Sequence, residues 1–254
     1  EMQSGQYTIH SQAYVYAMGT YQYTAQRALS MLNSVWQKAY NVIANVNNAL
    51  KFIDKRQGVL DPASYRMIKG ELLAIRAMLH FDMMRLYGYG NLAGRTDKST
   101  KPTVPYVTDY DKEMTPQLSY DQTIELIVKD LTDALGLLDD EPITGKHPAD
   151  YYDALNDDGF FSDRTFRLNY FAVKALLARV YMWEGTDEGY AKAAEIAEEW
   201  FLTEDDSGQD CWDWVSRSRV TNSNVLYRDR TFSQEHIWHL SVTKLNDIIG
   251  NWLD

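Results

Sequence analysis

The stretch "GELLAIRAMLHFDMMRLYG", residues 70–88, is almost wholly apolar and has the pattern of a helix. Its apolar side chains outnumber the polar ones, which is typical of a helix buried among other helices. Five polar residues interrupt the apolar pattern: Glu71, Arg76, His80, Asp82 and Arg85. They are either a catalytic or metal site, or part of the scaffold.

Helix geometry divides these five residues into two groups. At about 100° per residue, Glu71, Asp82 and Arg85 point to one side, and Arg76 and His80 to the other. Glu71 and Asp82 are about 16 Å apart along the axis, so they cannot share a metal ion unaided. Asp82 can pair with Arg85. Because buried charges need partners, we expect Glu71 and Arg76 to be structural and His80 to be a hydrogen-bonded core residue.

The composition excludes several classes of protein. The 254 residues carry a formal net charge of -11, and 45% are hydrophobic, which suits a chain with a packed core. The acidic balance and the lack of a basic block argue against nucleic-acid binding. No apolar run approaches the roughly 18–20 residues that span a bilayer. Cys211 is the only cysteine, so we expect no disulfide and no thiolate metal cluster. We also expect no cofactor.

Apolar residues at helical spacing predict a long helix from about residue 21 to 53. Asp61 and Pro62 have the pattern of an N-cap and first turn, and they predict a second helix that continues to Tyr87. Gly88 suits the C-terminal end of this helix.

Two further regions of the chain are predicted to be helical. Ser119 and Gln122 form a capping-box pattern ahead of an amphipathic segment. A buried helix is predicted from about residue 167 to 184, and Gly185 separates it from a partner helix that starts at about Tyr190.

Long irregular segments separate and follow these helices. Residues 88–118 hold three glycines and three prolines, and they predict a long surface loop of the kind that is often functional. After Leu202 the helical period fades, and "HIWHLSV" at 236–242 predicts a short strand. We therefore expect a single domain over 1–254, with a helical core at about 21–202 and a loop-rich tail at 203–254.

Two short segments repeat within the helical core. "AIRAML" at 74–79 matches "AVKALL" at 172–177, and both lie in predicted helices with alanines on one face. Small residues allow helices to approach closely, as in stacked helical hairpins. The prediction is a mostly all-α fold of hairpins that resemble tetratricopeptide repeats, with long loops and a little β-structure near the C-terminus.

Four segments occur in an order that resembles the SusD/RagB family. They are "WQKAYNVIANVNNAL" (36–50), "KGELLAIRAMLHFDMMRLYG" (69–88), "SYDQTIELIVKDLTDALGLL" (119–138) and "RLNYFAVKALLARVYMWEG" (167–185). "VPYV" after the long loop fits a subset of the family. The resemblance covers the helical core and implies that the polar residues within these segments are scaffold.

The resemblance also implies a function. Members of this family are surface lipoproteins of the outer membrane of Bacteroidetes, and they work with a TonB-dependent, SusC-like transporter. The expected role is to bind an oligosaccharide or another nutrient and not to catalyse a reaction. Family members are longer than this chain and carry a lipid anchor at the N-terminus, so we expect the chain to be incomplete and without its anchor.

The best candidate for a ligand site lies in the predicted tail. Sugar rings pack on Trp and Tyr, while Asn, Asp and Arg bind their hydroxyls. The segment from Cys211 to Val225 combines such residues: Trp212, Asp213, Trp214, Arg217 and Asn222. Alternatively, one or both tryptophans anchor the loop to the helical core.

Three other segments are weaker candidates. Tyr87, Tyr89 and Asn91 lie at the start of the long loop. The N-terminus is rich in tyrosine, which packing also explains: Tyr7, Tyr14, Tyr16, Tyr21 and Tyr23. Asp157, Asp158 and Asp163 surround Gly159 in an oxygen-rich segment that suits either calcium or a solvated turn.

Three functional hypotheses remain open on the sequence alone. The first is a glycan- or nutrient-binding subunit of an outer-membrane import system. The second is a helical-hairpin scaffold, or a family member that binds peptides, which predicts no saturable sugar binding. The third is an α-helical carbohydrate-active enzyme, which needs two carboxylates facing each other at about 5–10 Å.

Overall fold

The computed structural model describes residues 16–147, 151–152, 159–201, 214–229 and 231–240. Seven α-helices lie in these ranges: α1 Tyr16–Gly19, α2 Gln26–Ile53, α3 Pro62–Tyr87, α4 Tyr120–Leu138, α5 Tyr170–Glu184, α6 Asp187–Phe201 and α7 Arg217–Val220. Short 3₁₀ turns connect several of them. Within these ranges, no helix combines the length and the apolar character that crossing a membrane requires. The prediction of a mostly all-α fold is confirmed.

Two β-strands lie in the described ranges, within and at the end of the long loop. Strand β1, Pro102–Pro105, pairs antiparallel with strand β2, Gln117–Ser119, through an irregular register. The short strand predicted at 236–242 is wrong for its described part, because residues 236–240 form no strand. Residues 236–240 follow a 3₁₀ turn, Ser233–Glu235, and contact the helical core as irregular backbone.

Helix α3, which contains residues 70–87 of the apolar stretch quoted first, lies at the centre of the core. It packs against α2 on one side and α4 on another, α4 packs against α5, and α5 against α6. Buried residues therefore occur around much of α3 and not along a single stripe. Ala74, Ala77, Phe81 and Met84 are all essentially inaccessible to solvent.

Glycine at position 70 allows α3 and α4 to approach closely. A Cβ atom at Gly70 would lie 2.7 Å from Cγ of Leu138 and 3.3 Å from the carbonyl oxygen of Ala134. Real Cβ atoms do not approach a neighbour as closely as 2.7 Å. Gly70 therefore sets the distance between α3 and α4.

Several predicted helix ends agree with the observed ones, whereas α2, α5 and α6 begin at Gln26, Tyr170 and Asp187 and not at about 21, 167 and 190. The Asp61 side chain caps α3 by accepting from the backbone N–H of Ser64, and Ser119 with Gln122 forms the complete capping box of α4. Gly185 adopts a left-handed conformation (φ 72°) and links α5 to α6 in a tight helical hairpin.

Asn169 connects the tail to the helical core. Its side-chain oxygen caps α5 at Ala172 N, and its amide nitrogen donates to the carbonyl oxygens of Arg164 and Ile237. The backbone N–H of His239 donates to the Thr165 carbonyl. Residues 237–239 are thus held against the turn that precedes α5.

Candidate functional site

One side of α3 carries a buried, fully paired charge. Arg76 donates from Nε and Nη2 to the two carboxylate oxygens of Asp130 on α4, both at 2.7 Å, and from Nη1 to Asn47 on α2 at 3.2 Å. The hydroxyl of Tyr106 donates to the same carboxylate at 2.6 Å. Three helices and the long loop therefore meet at one ion pair.

His80 lies one turn further along the same side and is completely buried. Its Nε2 accepts from the backbone N–H of Val107 at 3.0 Å, so Nδ1 carries the proton and donates to the Arg76 carbonyl at 2.8 Å. Burial lowers the pKa of His80 to about 4. The ring is therefore neutral at physiological pH, and both of its nitrogens are occupied.

These contacts hold the second half of the long loop in place. The Tyr40 hydroxyl donates to the Pro105 carbonyl at 2.9 Å, and the Asn47 amide donates to the Val107 carbonyl at 2.8 Å. The rings of His80 and Tyr106 stack with centroids 4.0 Å apart. Residues 105–107, the last three of the "VPYV" segment, are thus fixed on α2 and α3.

The other side of α3 pairs with the turn before α5. Nη2 of Arg164 lies 2.7 Å from Glu71 and 2.5 Å from Glu141. Glu141 is buried, and its second carboxylate oxygen accepts from the backbone N–H of Tyr170. Burial raises the pKa of Glu141, and the neighbouring Arg164 opposes that shift.

The polar residues of the opening stretch are therefore scaffold. Glu71 and Arg76 pair with charges on other elements, and His80 is a hydrogen-bonded core residue, as predicted. Nη1 of Arg85 lies 3.3 Å from Asp82, which confirms the pair expected from their spacing.

The tail candidates are only partly within the described residues. Trp212 and Asp213 lie outside them. Trp214 is 80% exposed, Arg217 is exposed at the start of α7, and Asn222 is half-buried. The alternative that Trp214 anchors the loop to the core is wrong, because most of its surface faces solvent.

Backbone hydrogen bonds give the segment around Trp214 a definite shape. The N–H of Val215 donates to the Glu235 carboxylate at 2.9 Å. The Asn222 side chain accepts from the N–H of Asn224, and its carbonyl accepts from Arg228 at 2.6 Å. The Asn222 side-chain oxygen is thus already engaged, and its amide nitrogen has no hydrogen bond to another described residue.

At the start of the long loop, two cations lie over the ring of Tyr89. The guanidinium of Arg95 is 4.7 Å and the ammonium of Lys101 is 4.9 Å from the ring centroid. Asn91 is exposed and adopts a left-handed conformation (φ 55°). Tyr87 is instead anchored to α2, because its hydroxyl donates to the Leu32 carbonyl at 2.6 Å.

The remaining candidates gain little support. Tyr7 and Tyr14 lie outside the described residues, and Tyr21 and Tyr23 form an edge-to-face pair with each other. Asp157 and Asp158 also lie outside them, so the calcium hypothesis is not tested. Within the described ranges, no three His, Cys, Asp or Glu side chains are grouped so that they could hold a metal ion.

The loop and tail candidates do not meet in the described part of the chain. No hydrogen bond or ring contact there joins Tyr89 or Asn91 to Trp214, Arg217 or Asn222. The sequence did not predict the roles of Tyr106, Glu141 and Arg164. They lie in irregular segments far along the chain from their partners, and nothing in their spacing marks them.

Comparisons with solved structures agree on one group of proteins. A SusD superfamily protein from Bacteroides thetaiotaomicron VPI-5482 is 26% identical, covers 65% of this chain and 30% of its own length, and has a TM-score of 0.51. A putative sugar binding protein from Bacteroides vulgatus ATCC 8482 is also 26% identical, covers 65% and 32%, and has a TM-score of 0.50. This chain thus spans less than a third of the length of each of these two proteins.

The comparison with family models assigns most of the helical core. No curated protein sequence matches the chain. The model of a SusD-like family, described as starch-binding and associating with the outer membrane, matches residues 2–151. That match covers more than half of the chain and includes α1 to α4, the long loop and the Arg76–Asp130 cluster. The chain therefore belongs to the SusD-like family.

Proposed function

We propose that this chain is part of a glycan- or nutrient-binding subunit of a TonB-dependent outer-membrane import system. The observation that carries the proposal is the family match over residues 2–151, because that family is described as starch-binding and associating with the outer membrane. The solved relative described as a putative sugar binding protein adds support. The protein would lie at the cell surface as a lipoprotein, with a SusC-like transporter as its partner.

The proposed mechanism is passive capture of an oligosaccharide. Trp214 offers a large, exposed aromatic face on which the C–H face of a sugar ring can stack. Arg217 is exposed three residues further along the chain and can donate to sugar hydroxyls. Trp212, Asp213 and Asn222 would complete this tail platform, which we define as residues 212–222.

Tyr89 and Asn91 form a second, weaker candidate platform. Tyr89 is 53% exposed, but Arg95 and Lys101 already lie over its ring. A sugar that stacked on the covered face would have to displace a cation–π contact worth about 0.5–1 kcal/mol at an exposed site. Asn91 is next to it on the loop and is free to bind hydroxyls. We therefore rank the tail platform first.

Binding without catalysis agrees with the charges in the core. Glu71 and Glu141 are close in space, but both contact the guanidinium of Arg164 within the protein interior. A glycosidase needs one carboxylic acid and one carboxylate on either side of a bound sugar. This pair is committed to the scaffold, and we propose that the protein is not an enzyme.

The proposal can be tested by calorimetric titration. The ligands are soluble starch, other plant glycans, and host and microbial glycans. We expect saturable binding of at least one glycan and its loss in Trp214→Ala. Tyr227→Ala is the matched control, because Tyr227 is also an exposed aromatic of the tail (73%) and lies outside the platform. Loss in Tyr89→Ala but not in Tyr110→Ala would move the site to the long loop. Peptide binding without glycan binding would favour the scaffold hypothesis.

A further inference from the structure

A groove with a volume of about 600 Å³ opens where α3, α5 and α6 meet. Aromatic side chains from all three helices line it: Phe81, Trp183 and Tyr190. Alanines of α5 and α6 form much of the remaining surface, which leaves space between the helices. Its size and apolar lining are those of pockets that bind small organic molecules.

Two arginines bring positive charge to this apolar groove. The guanidinium of Arg85 lies 5.4 Å from the ring centroids of both Phe81 and Trp183, and it also pairs with Asp82. Arg179 lines the groove and is exposed, and it forms no ion pair or hydrogen bond with any residue that the structure describes. The local charge of these three groups is positive, in a chain whose net charge is -11.

Two carboxylates lie near Arg179, and neither forms an ion pair with it among the described residues. The positive charge of Arg179 lowers the pKa of Asp82, but burial has the larger effect and raises it. The nearest cation to the Asp82 carboxylate is Arg85. Glu235 lies with Arg179 in the wall of a neighbouring cavity of about 300 Å³, and its carboxylate accepts from the backbone N–H of Val215. Arg179 therefore stands between two apolar cavities with a guanidinium available for a ligand.

We propose that this groove binds a small carboxylate with an apolar, ring-containing body. The carboxylate would pair with Arg179, whose planar fork of donors matches it, and the body would lie against Trp183 and Tyr190. A neutral sugar fits less well, because its many hydroxyls need more polar partners than this lining offers. The proposal does not depend on glycan binding by the tail platform.

Titration of the 254-residue chain with phenylbutyrate and naphthoate tests the proposal, with the corresponding neutral amides as matched ligands. We expect saturable binding of the carboxylates and binding of the amides weaker by roughly tenfold or more. Arg179→Gln should weaken carboxylate binding by a similar factor. Arg56→Gln is the control, because Arg56 lines a different apolar groove at the α2–α3 junction.

A second pair of variants tests the place of binding independently of charge. Ala194→Leu adds a side chain to the groove, whereas Ala191→Leu adds the same side chain to an exposed position of α6 outside it. Only Ala194→Leu should abolish binding. The proposal is overturned if neither carboxylate binds at millimolar concentration, if amides bind equally well, or if Arg179→Gln leaves the affinity unchanged.

Discussion

Nε2 of His80 on α3 accepts the backbone N–H of Val107 at 3.0 Å, and this bond ties the long loop to the centre of the core. Replacing His80 with Leu leaves that partly buried N–H without its acceptor, which costs about 1–3 kcal/mol. We expect the free energy of unfolding to fall by at least that amount in urea denaturation. His236→Leu, at a half-buried position in the tail, should change it far less.

The low pKa of His80 predicts a specific dependence of stability on pH. Its ordinary value is 6.5 and its folded value is about 4, so the unfolded chain binds the proton more tightly. The contribution of the neutral, buried His80 to stability is complete above pH 6.5 and is lost as the pH falls from there towards 4. Between pH 7 and pH 5 the loss is about 2 kcal/mol. Urea denaturation at both pH values should show this loss, and His80→Leu should lack it; equal losses in both proteins would contradict the assignment.

The pair of Arg76 and Asp130 should dominate the electrostatic contribution to stability. Asp130→Asn leaves the buried guanidinium without its counter-charge, which costs about 3–5 kcal/mol. Asp133→Asn on the same helix removes only the exposed pair with Lys129, at about 0–1 kcal/mol. Chemical denaturation of the two variants at neutral pH compares them directly. Similar losses of unfolding free energy in the two variants would contradict the larger contribution of the buried pair.

The contact between α3 and α4 predicts opposite effects for two glycine substitutions. Gly70→Ala places a methyl group against Leu138 and should destabilise the protein by about 1–3 kcal/mol. Gly136→Ala, in α4, meets no atom within 4 Å and should stabilise it by about 0.5–1 kcal/mol through helix propensity. Thermal unfolding midpoints should move in opposite directions. A stabilised Gly70→Ala would contradict the close approach of α3 and α4.

The helices could be predicted from sequence because their signals are local. Each helix cap involves residues only a few positions apart, so it can be recognised in the sequence. Examples are Asp61 with Pro62, Ser119 with Gln122, and Gly185. The spacing of Asp82 and Arg85 also determines their pairing. The partner of Arg76 is 54 residues away, and nothing local identifies it as Asp130.

The strands and the candidate site were harder to predict for related reasons. Strands β1 and β2 have four and three residues, and prolines begin and end β1, so neither shows a clear alternation. Pairing across the loop and contact with α3 and α4 stabilise them instead. The groove at Arg179 brings residues of α3 next to residues of α5 and α6, which lie about a hundred positions further along the chain. No local motif can reveal such a contact.

One calorimetric titration tests whether the tail platform binds glycans. Soluble starch and the wider glycan panel are titrated by calorimetry into the 254-residue chain and into Trp214→Ala, with Tyr227→Ala alongside. We expect saturable binding to the chain and to Tyr227→Ala, and a loss of roughly tenfold or more in Trp214→Ala, since stacking on one ring contributes on the order of 1–2 kcal/mol. Equal affinity of all three proteins for the glycan, or binding by none of them, would contradict it.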